Sequence, residues 1–266
     1  MDTAHLIPPL QARLDALATD KSRSFWQGYM KGAVPFRGVP MAAIRGAVHA
    51  WWRHDGPAML PTACQKQLAI SLFEGRYGED KLAGTLALQE LLLPDLTPPD
   101  LERLGALFER GLIADWNTCD WLCVKVLGRW VARDLPNRST GEAIVGWRGA
   151  RTVWQRRAAN VAFVNLAKRG EHNFGGFTGL MLQTCAVTVQ SSERFAQTGV
   201  GWLLRELAHT QQAAVVDFLR CHLGQMSREG LRYAVERMPA AERAVLLEAH
   251  GSLQRTTSTR RPATAP

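Results

Sequence analysis

The chain has 266 residues, is 46% hydrophobic, and carries 32 Lys and Arg against 24 Asp and Glu, a formal net charge of +8. That apolar content and mixed charge exclude a disordered chain, and no apolar run approaches the roughly 18–20 residues of a membrane helix. The N-terminus has no basic segment leading into an apolar one, so no secretory signal is expected and the expected compartment is the cytoplasm, with nucleoid association if the source is bacterial.

Helical periodicity dominates, and strand-like alternation is nearly absent. The spacing predicts helices over 7–19, 24–32, 40–53, 60–76 and 79–92. The next runs from Thr97-Pro98-Pro99-Asp100 to Gly111, with proline at its start, acids in its first turn and glycine past its end. Further helices are expected over 118–133, 139–147, 151–168, 176–189, 192–208, 211–222, 227–237 and 240–250. Gly, Pro, Asn and Asp punctuate the joins, as at Gly38-Val39-Pro40 and Pro136-Asn137. Helix pairs recur at roughly 35–40 residues, which fits an all-α fold of the α-solenoid type built from degenerate helical repeats. A compact all-α bundle is the alternative. One domain is expected over 1–251, followed by a flexible basic tail over 252–266 that lacks apolar periodicity.

The positive charge is localised. Residues 1–120 carry 12 basic and 14 acidic side chains and residues 171–266 carry 10 and 8, whereas residues 121–170 carry 10 and 2. The whole excess therefore equals that of one 50-residue stretch: Lys125, Arg129, Arg133, Arg138, Arg148, Arg151, Arg156, Arg157, Lys168 and Arg169. A solvated helix face accounts for such a run, and so does a cationic strip facing a polyanion, for which the planar fork of Arg is suited. The five cysteines form no disulfide framework and, like the seven histidines, no metal-ligand spacing, so core or interface cysteines and no metal or cofactor are expected.

Three constellations carry chemistry. In Asp115-Trp116-Asn117-Thr118-Cys119-Asp120-Trp121, Asn117 reads as an N-cap with Asp120 at the third helical position and Trp116 and Trp121 as a hydrophobic staple. The same geometry offers an ionised carboxylate bordered by aromatic rings, able to stabilise positive charge developing on a sugar. In Arg151-Thr-Val-Trp154-Gln-Arg156-Arg157-Ala-Ala-Asn160, three Arg in the first turns oppose the helix dipole, which points to an external anion such as phosphate. In Gly199-Val-Gly201-Trp202-Leu-Leu-Arg205-Glu206, each glycine inside a helix costs about 1 kcal/mol against alanine. Helix packing or close approach of another backbone would justify them, and Trp202 beside them is a core side chain or an aromatic surface for a ligand.

These stretches resemble the AlkD-type DNA alkylation repair glycosylases, a family of HEAT-like helical repeats. Tyr29-Met30-Lys31 leading to Gly38-Val39-Pro40 and Arg45 is similar to the family's N-terminal segment. Trp116-Asn117-Thr118-Cys119-Asp120, Trp154-Gln155-Arg156-Arg157 and Gly201-Trp202-Leu203-Leu204-Arg205-Glu206 match three further motifs in order, over about residues 25–210. The resemblance implies that Asp120 is the acid needed for base excision, that Trp116 and Trp202 flank the lesion's sugar and phosphate, and that Arg157 binds phosphate. Tyr29, Arg45, Arg148, Arg151, Arg156 and Lys168 are the further DNA-binding candidates. Asn117, Cys119 and Met41-Ala42 depart from the family's pattern, which bears on substrate range and DNA affinity.

The function expected on these grounds is hydrolysis of the N-glycosidic bond of N3- or N7-alkylated purines by a monomeric, monofunctional glycosylase. Its partner is double-stranded DNA with alkylated bases, and it needs no membrane. A non-catalytic HEAT-like protein that binds distorted or branched DNA is one rival, and a protein-interaction scaffold is another.

Overall fold

Capping residues and prolines divide the chain at nearly every join that the periodicity marks. The computed structural model describes residues 3–259, among which there are helices and turns and no strand. The fold class is the expected one: all-α, with paired helices of the HEAT-like α-solenoid type. Where the periodicity leads to a single domain, the packing gathers into two compact units divided between Arg133 and Asp134. Each is described by itself.

The first unit holds α1 (Ile7–Ala16), α2 (Asp20–Met30), α3 (Met41–His54), α4 (Thr62–Ser71), α5 (Gly78–Glu90), α6 (Pro98–Glu109), α7 (Trp116–Leu122) and α8 (Gly128–Asp134). Helix α2 starts earlier than its apolar pattern because the Thr19 hydroxyl accepts from the Ser22 amide. At the core lies α5, buried along its first eleven residues and packed on α3, α4 and α7. Gly84 permits this, since a Cβ there would sit 2.7 Å from the Ala69 carbonyl oxygen of α4.

Burial of α5 takes its first-turn charges with it, and each is satisfied. The fully buried Glu79 carboxylate accepts from the amides of Arg37, Gly38 and Val39 at 2.8–3.1 Å. Asp80 accepts from the Tyr77 amide and meets Arg37 Nη1 at 3.0 Å. Lys81 Nζ donates to the carbonyls of Phe73 and Leu112. At the end of the unit, Arg133 donates to the carbonyls of Leu93, Pro94 and Leu96.

The second unit holds α9 (Ser139–Val145), α10 (Val153–Val161), α11 (Val164–Ala167), α12 (Phe177–Thr188), α13 (Arg194–His222), α14 (Arg228–Val235) and α15 (Ala240–Thr259). The two helices expected over 192–208 and 211–222 are one element, broken only by non-helical backbone at Gln211. The boundary expected at 251/252 falls inside α15, which continues through the polar residues to Thr259. Extending an existing helix needs no new nucleus, so apolar periodicity marks where a helix packs and not where it stops. Residues 260–266 of the expected tail lie outside the described residues.

Of the two glycines inside α13, Gly201 has the close backbone approach expected of it, whereas a Cβ on Gly199 would meet the Arg157 side chain at 3.3 Å. A Cβ on Gly201 would lie 2.3 Å from the Gly230 carbonyl oxygen of α14, and one on Gly230 would lie 2.8 Å from the Gln197 carbonyl oxygen. The helices α13 and α14 therefore touch backbone to backbone. Gly201→Val is expected to lower stability by about 1–3 kcal/mol through overpacking, seen as a reduced urea midpoint at unchanged slope. A midpoint equal to wild type would show that the helices part without cost.

Candidate functional site

In the first unit the site is built at the start of α7. The N-cap is Asp115, not Asn117: its backbone is extended, Oδ1 accepts from the Thr118 amide at 2.8 Å, and Oδ2 accepts from the Thr118 hydroxyl at 2.8 Å. The helix thus starts two residues earlier than expected. Asp120 becomes its fifth residue, beyond the reach of a capping carboxylate, and the Trp116–Trp121 staple is not formed. Asn117 is instead buried, and its Nδ2 has no hydrogen-bond partner.

Moving the cap has a chemical consequence. Trp116 and Asp120 are spaced four apart within one helix and share a face. Both are half-buried, so each keeps a side open to solvent. Tyr29 of α2 sets its ring edge-on to Trp116 at 5.0 Å and 79°. Three residues after Asp120 the helix enters a π-turn at Cys123–Leu127 before α8, a rare feature found mostly at functional sites. Cys119 precedes this turn and Cys123 opens it, with sulfurs 3.9 Å apart and both fully buried. Cys185 is also buried, which pushes its thiol up, whereas Cys64 is half-buried and Cys221 exposed. Arg45 is engaged with Glu90 of α5 at 2.9 Å, as is His49 at 2.7 Å. Burial would raise the Glu90 carboxyl, but these two hydrogen bonds hold it below its ordinary value.

In the second unit, Trp202 is half-buried on α13 beside the Gly201 contact. Arg157 of α10 is only 6% exposed. Its Nη1 donates to the Phe195 carbonyl at 2.9 Å and the Thr198 hydroxyl at 3.0 Å, and Gly199 leaves room for its stem. Arg156 donates to the carbonyls of Ala150 and Arg151 and pairs with Glu193. Arg148 donates to the Val145 carbonyl, while the exposed Arg151 has no side-chain partner among the described residues. Trp154 packs on Phe195 with ring centres 4.7 Å apart.

Lys168 lies 3.6 Å from Glu206, a residue given no role from the sequence. Glu206 is 3% exposed and also pairs with Arg205 and Arg237, each at 2.9 Å. Burial would raise its carboxyl, but the Arg205 hydrogen bond and the charges of Arg205, Arg237 and Lys168 hold it below its ordinary value. A depressed value in the folded state contributes stability above the unfolded value, and that contribution is lost as pH falls through the folded value. Urea melts of wild type and Glu206→Gln are therefore expected to converge below about pH 4. A gap that stays constant from about pH 7 down to about pH 3 would exclude this linkage.

The cationic stretch 121–170 is not one exposed strip. It is divided between the two units. Arg133, Arg138, Arg148, Arg156 and Arg157 spend donors on main-chain carbonyls, and Lys168 is paired. Arg129, Arg151 and Arg169 are exposed without a side-chain partner among the described residues. Within each unit the structure brings together Tyr29 with Trp116 and the Arg157–Thr198 pair with the turn before Trp202. It places Arg45 and Lys168 on carboxylates of their own units. Among the described residues no group of three or more His, Cys, Asp or Glu is arranged to hold a metal ion, and no helix is long and apolar enough to cross a membrane.

Residues 10–238 match the family described as "DNA alkylation repair enzyme". The fold is similar to a solved structure described as a predicted DNA alkylation repair enzyme from Enterococcus faecalis, with a TM-score of 0.68 at 18% identity. That match covers 84% of this chain and 97% of the other. No curated protein matches the chain.

Proposed function

Because the chain belongs to the DNA alkylation repair enzyme family, we propose that it is a monofunctional DNA glycosylase that releases N3- and N7-alkylated purines such as 3-methyladenine and 7-methylguanine. The observation that carries this reading is the pairing of Asp120 with Trp116 on one face of α7, with Tyr29 against the indole.

Alkylation at N3 or N7 makes the purine cationic and a good leaving group, so no strong general acid is needed. As the N-glycosidic bond breaks, its electron pair passes to the base and cancels that charge, while positive charge builds on the sugar. The Asp120 carboxylate stabilises this oxocarbenium-like sugar, as carboxylates do in glycoside hydrolysis. It also orients the attacking water, which bonds to the anomeric carbon and loses a proton to solvent. The face of Trp116 favours the cationic base and sugar edge, and Trp202 is the aromatic surface that the second unit offers to DNA. Neutral bases leave too poorly to be released by this means, which gives selectivity for cationic lesions.

Arg148, Arg151 and Lys168 meet backbone phosphates of double-stranded DNA, with Tyr29 and Arg45 contributing from the first unit. Arg156 and Arg157 act through the main chain they hold: Arg157 fixes α10 to the turn that precedes Trp202. Release of methylated bases from alkylated DNA, resolved by adduct and compared with Asp120→Asn, tests the proposal. Wild-type protein that binds this DNA and releases no base would leave only a DNA-binding role.

A further inference from the structure

Helix α2 carries two residues that the reaction above does not use, Lys21 and Phe25. With Tyr29 they follow at intervals of four and lie along one side of the helix. Phe25 is 60% exposed and Tyr29 53%. Their rings stack, with centres 5.6 Å apart and planes 14° apart, and Tyr29 meets Trp116 edge-on. A single exposed Phe is ordinary. Two exposed rings held parallel and joined to a third form a preorganised aromatic surface. It is fixed from behind, because Trp26 stacks on the buried Phe36 with centres 4.8 Å and planes 8° apart.

The charge around this surface selects its occupant. Asp20, the acid of α2, is paired with Arg23 at 2.9 Å. Lys21 at one end and Lys31 at the other are exposed and have no side-chain partner among the described residues. Aromatic rings flanked by unneutralised ammonium groups suit a base lying on a ring with its phosphate on the cation, the arrangement by which single-stranded nucleic acid is held.

We propose that Phe25, with Lys21, extends the Tyr29–Trp116 surface into a stacking platform for an unpaired nucleobase, one displaced from the duplex beside the damaged nucleotide. The inference rests on DNA being the substrate, as proposed above.

The test uses the full chain, Phe25→Ala and Phe25→Trp with two duplexes: one fully paired, and one with 2-aminopurine opposite a stable abasic-site analogue. Wild type is expected to quench 2-aminopurine emission on binding. Phe25→Ala is expected to lose most of the quenching and to bind the duplex with the unpaired base about tenfold more weakly. Phe25→Trp restores both, and affinity for the paired duplex is the same in all three. Equal quenching by wild type and Phe25→Ala overturns the platform. So does an equal loss of affinity for both duplexes, or a change of the free protein's oligomeric state in Phe25→Ala, which would mean that a second copy covers the ring. Quenching without base release by wild type sinks the glycosylase reading and leaves the platform. Base release without Phe25-dependent quenching sinks the platform alone.

Discussion

Asp120→Asn is expected to leave DNA affinity close to that of wild type and to reduce release of 7-methylguanine and 3-methyladenine by a factor on the order of 10²–10³. Asn keeps the size and hydrogen-bonding shape of Asp and removes only its charge. Affinity for DNA is carried by phosphate contacts and therefore by cations elsewhere. The barrier to base loss depends on the charge opposite the developing sugar cation, which exists only in the transition state. The expected signature is a fall in the single-turnover rate at saturating enzyme with an unchanged binding isotherm. A thermal melt of the variant shows whether the fold is intact. Unaltered base release would remove Asp120 from the chemistry, and a parallel loss of binding and rate would make it a docking residue.

The second large effect is expected far from the chemistry, at Glu79. Its carboxylate, fully buried at the start of α5, holds the amides of Arg37, Gly38 and Val39. Gly38 belongs in that loop because its φ is +97° and a Cβ would sit 2.5 Å from the Thr19 carbonyl oxygen. Glu79→Ala leaves three amide donors without their acceptor and is expected to cost about 3–5 kcal/mol, the scale for breaking a buried charged network. In a chain of this size that corresponds to a fall in Tm on the order of 10 °C. Glu79→Gln keeps one acceptor oxygen and should recover part of the loss. If Glu79→Ala melts within about 2 °C of wild type, solvent must reach the loop and replace the carboxylate.

The two predictions mark different kinds of legibility. Asp120 and Trp116 stood out because aromatic residues and an acid recur at one-turn spacing in a short motif. Glu79 did not, because nothing within one turn of it in Gly78-Glu79-Asp80-Lys81 marks it as buried. Its acceptor role depends on residues about forty positions earlier in the chain. The same difference explains the error at Asn117. Asp115 and Asn117 are both good capping residues. The choice between them was made by Thr118, which gives its amide and its hydroxyl to the Asp115 carboxylate.

The chain by itself determined the helical class, most of the helix spans, the order of the four motifs, and the need for a close contact at Gly199 and Gly201. These follow from interactions within about one helical turn and from the cost of a residue placed against its propensity. Only the tertiary structure decided which cations of residues 121–170 face outward. Arg156 and Arg157, prominent as phosphate ligands in the sequence, are turned inward by carbonyls of the 150–151 and 195 segments, while Arg151 is left outside. A net charge of +8 records how many cations the chain carries. Where they act depends on partners brought together by packing, because a guanidinium bonds whichever acceptor the fold places within reach.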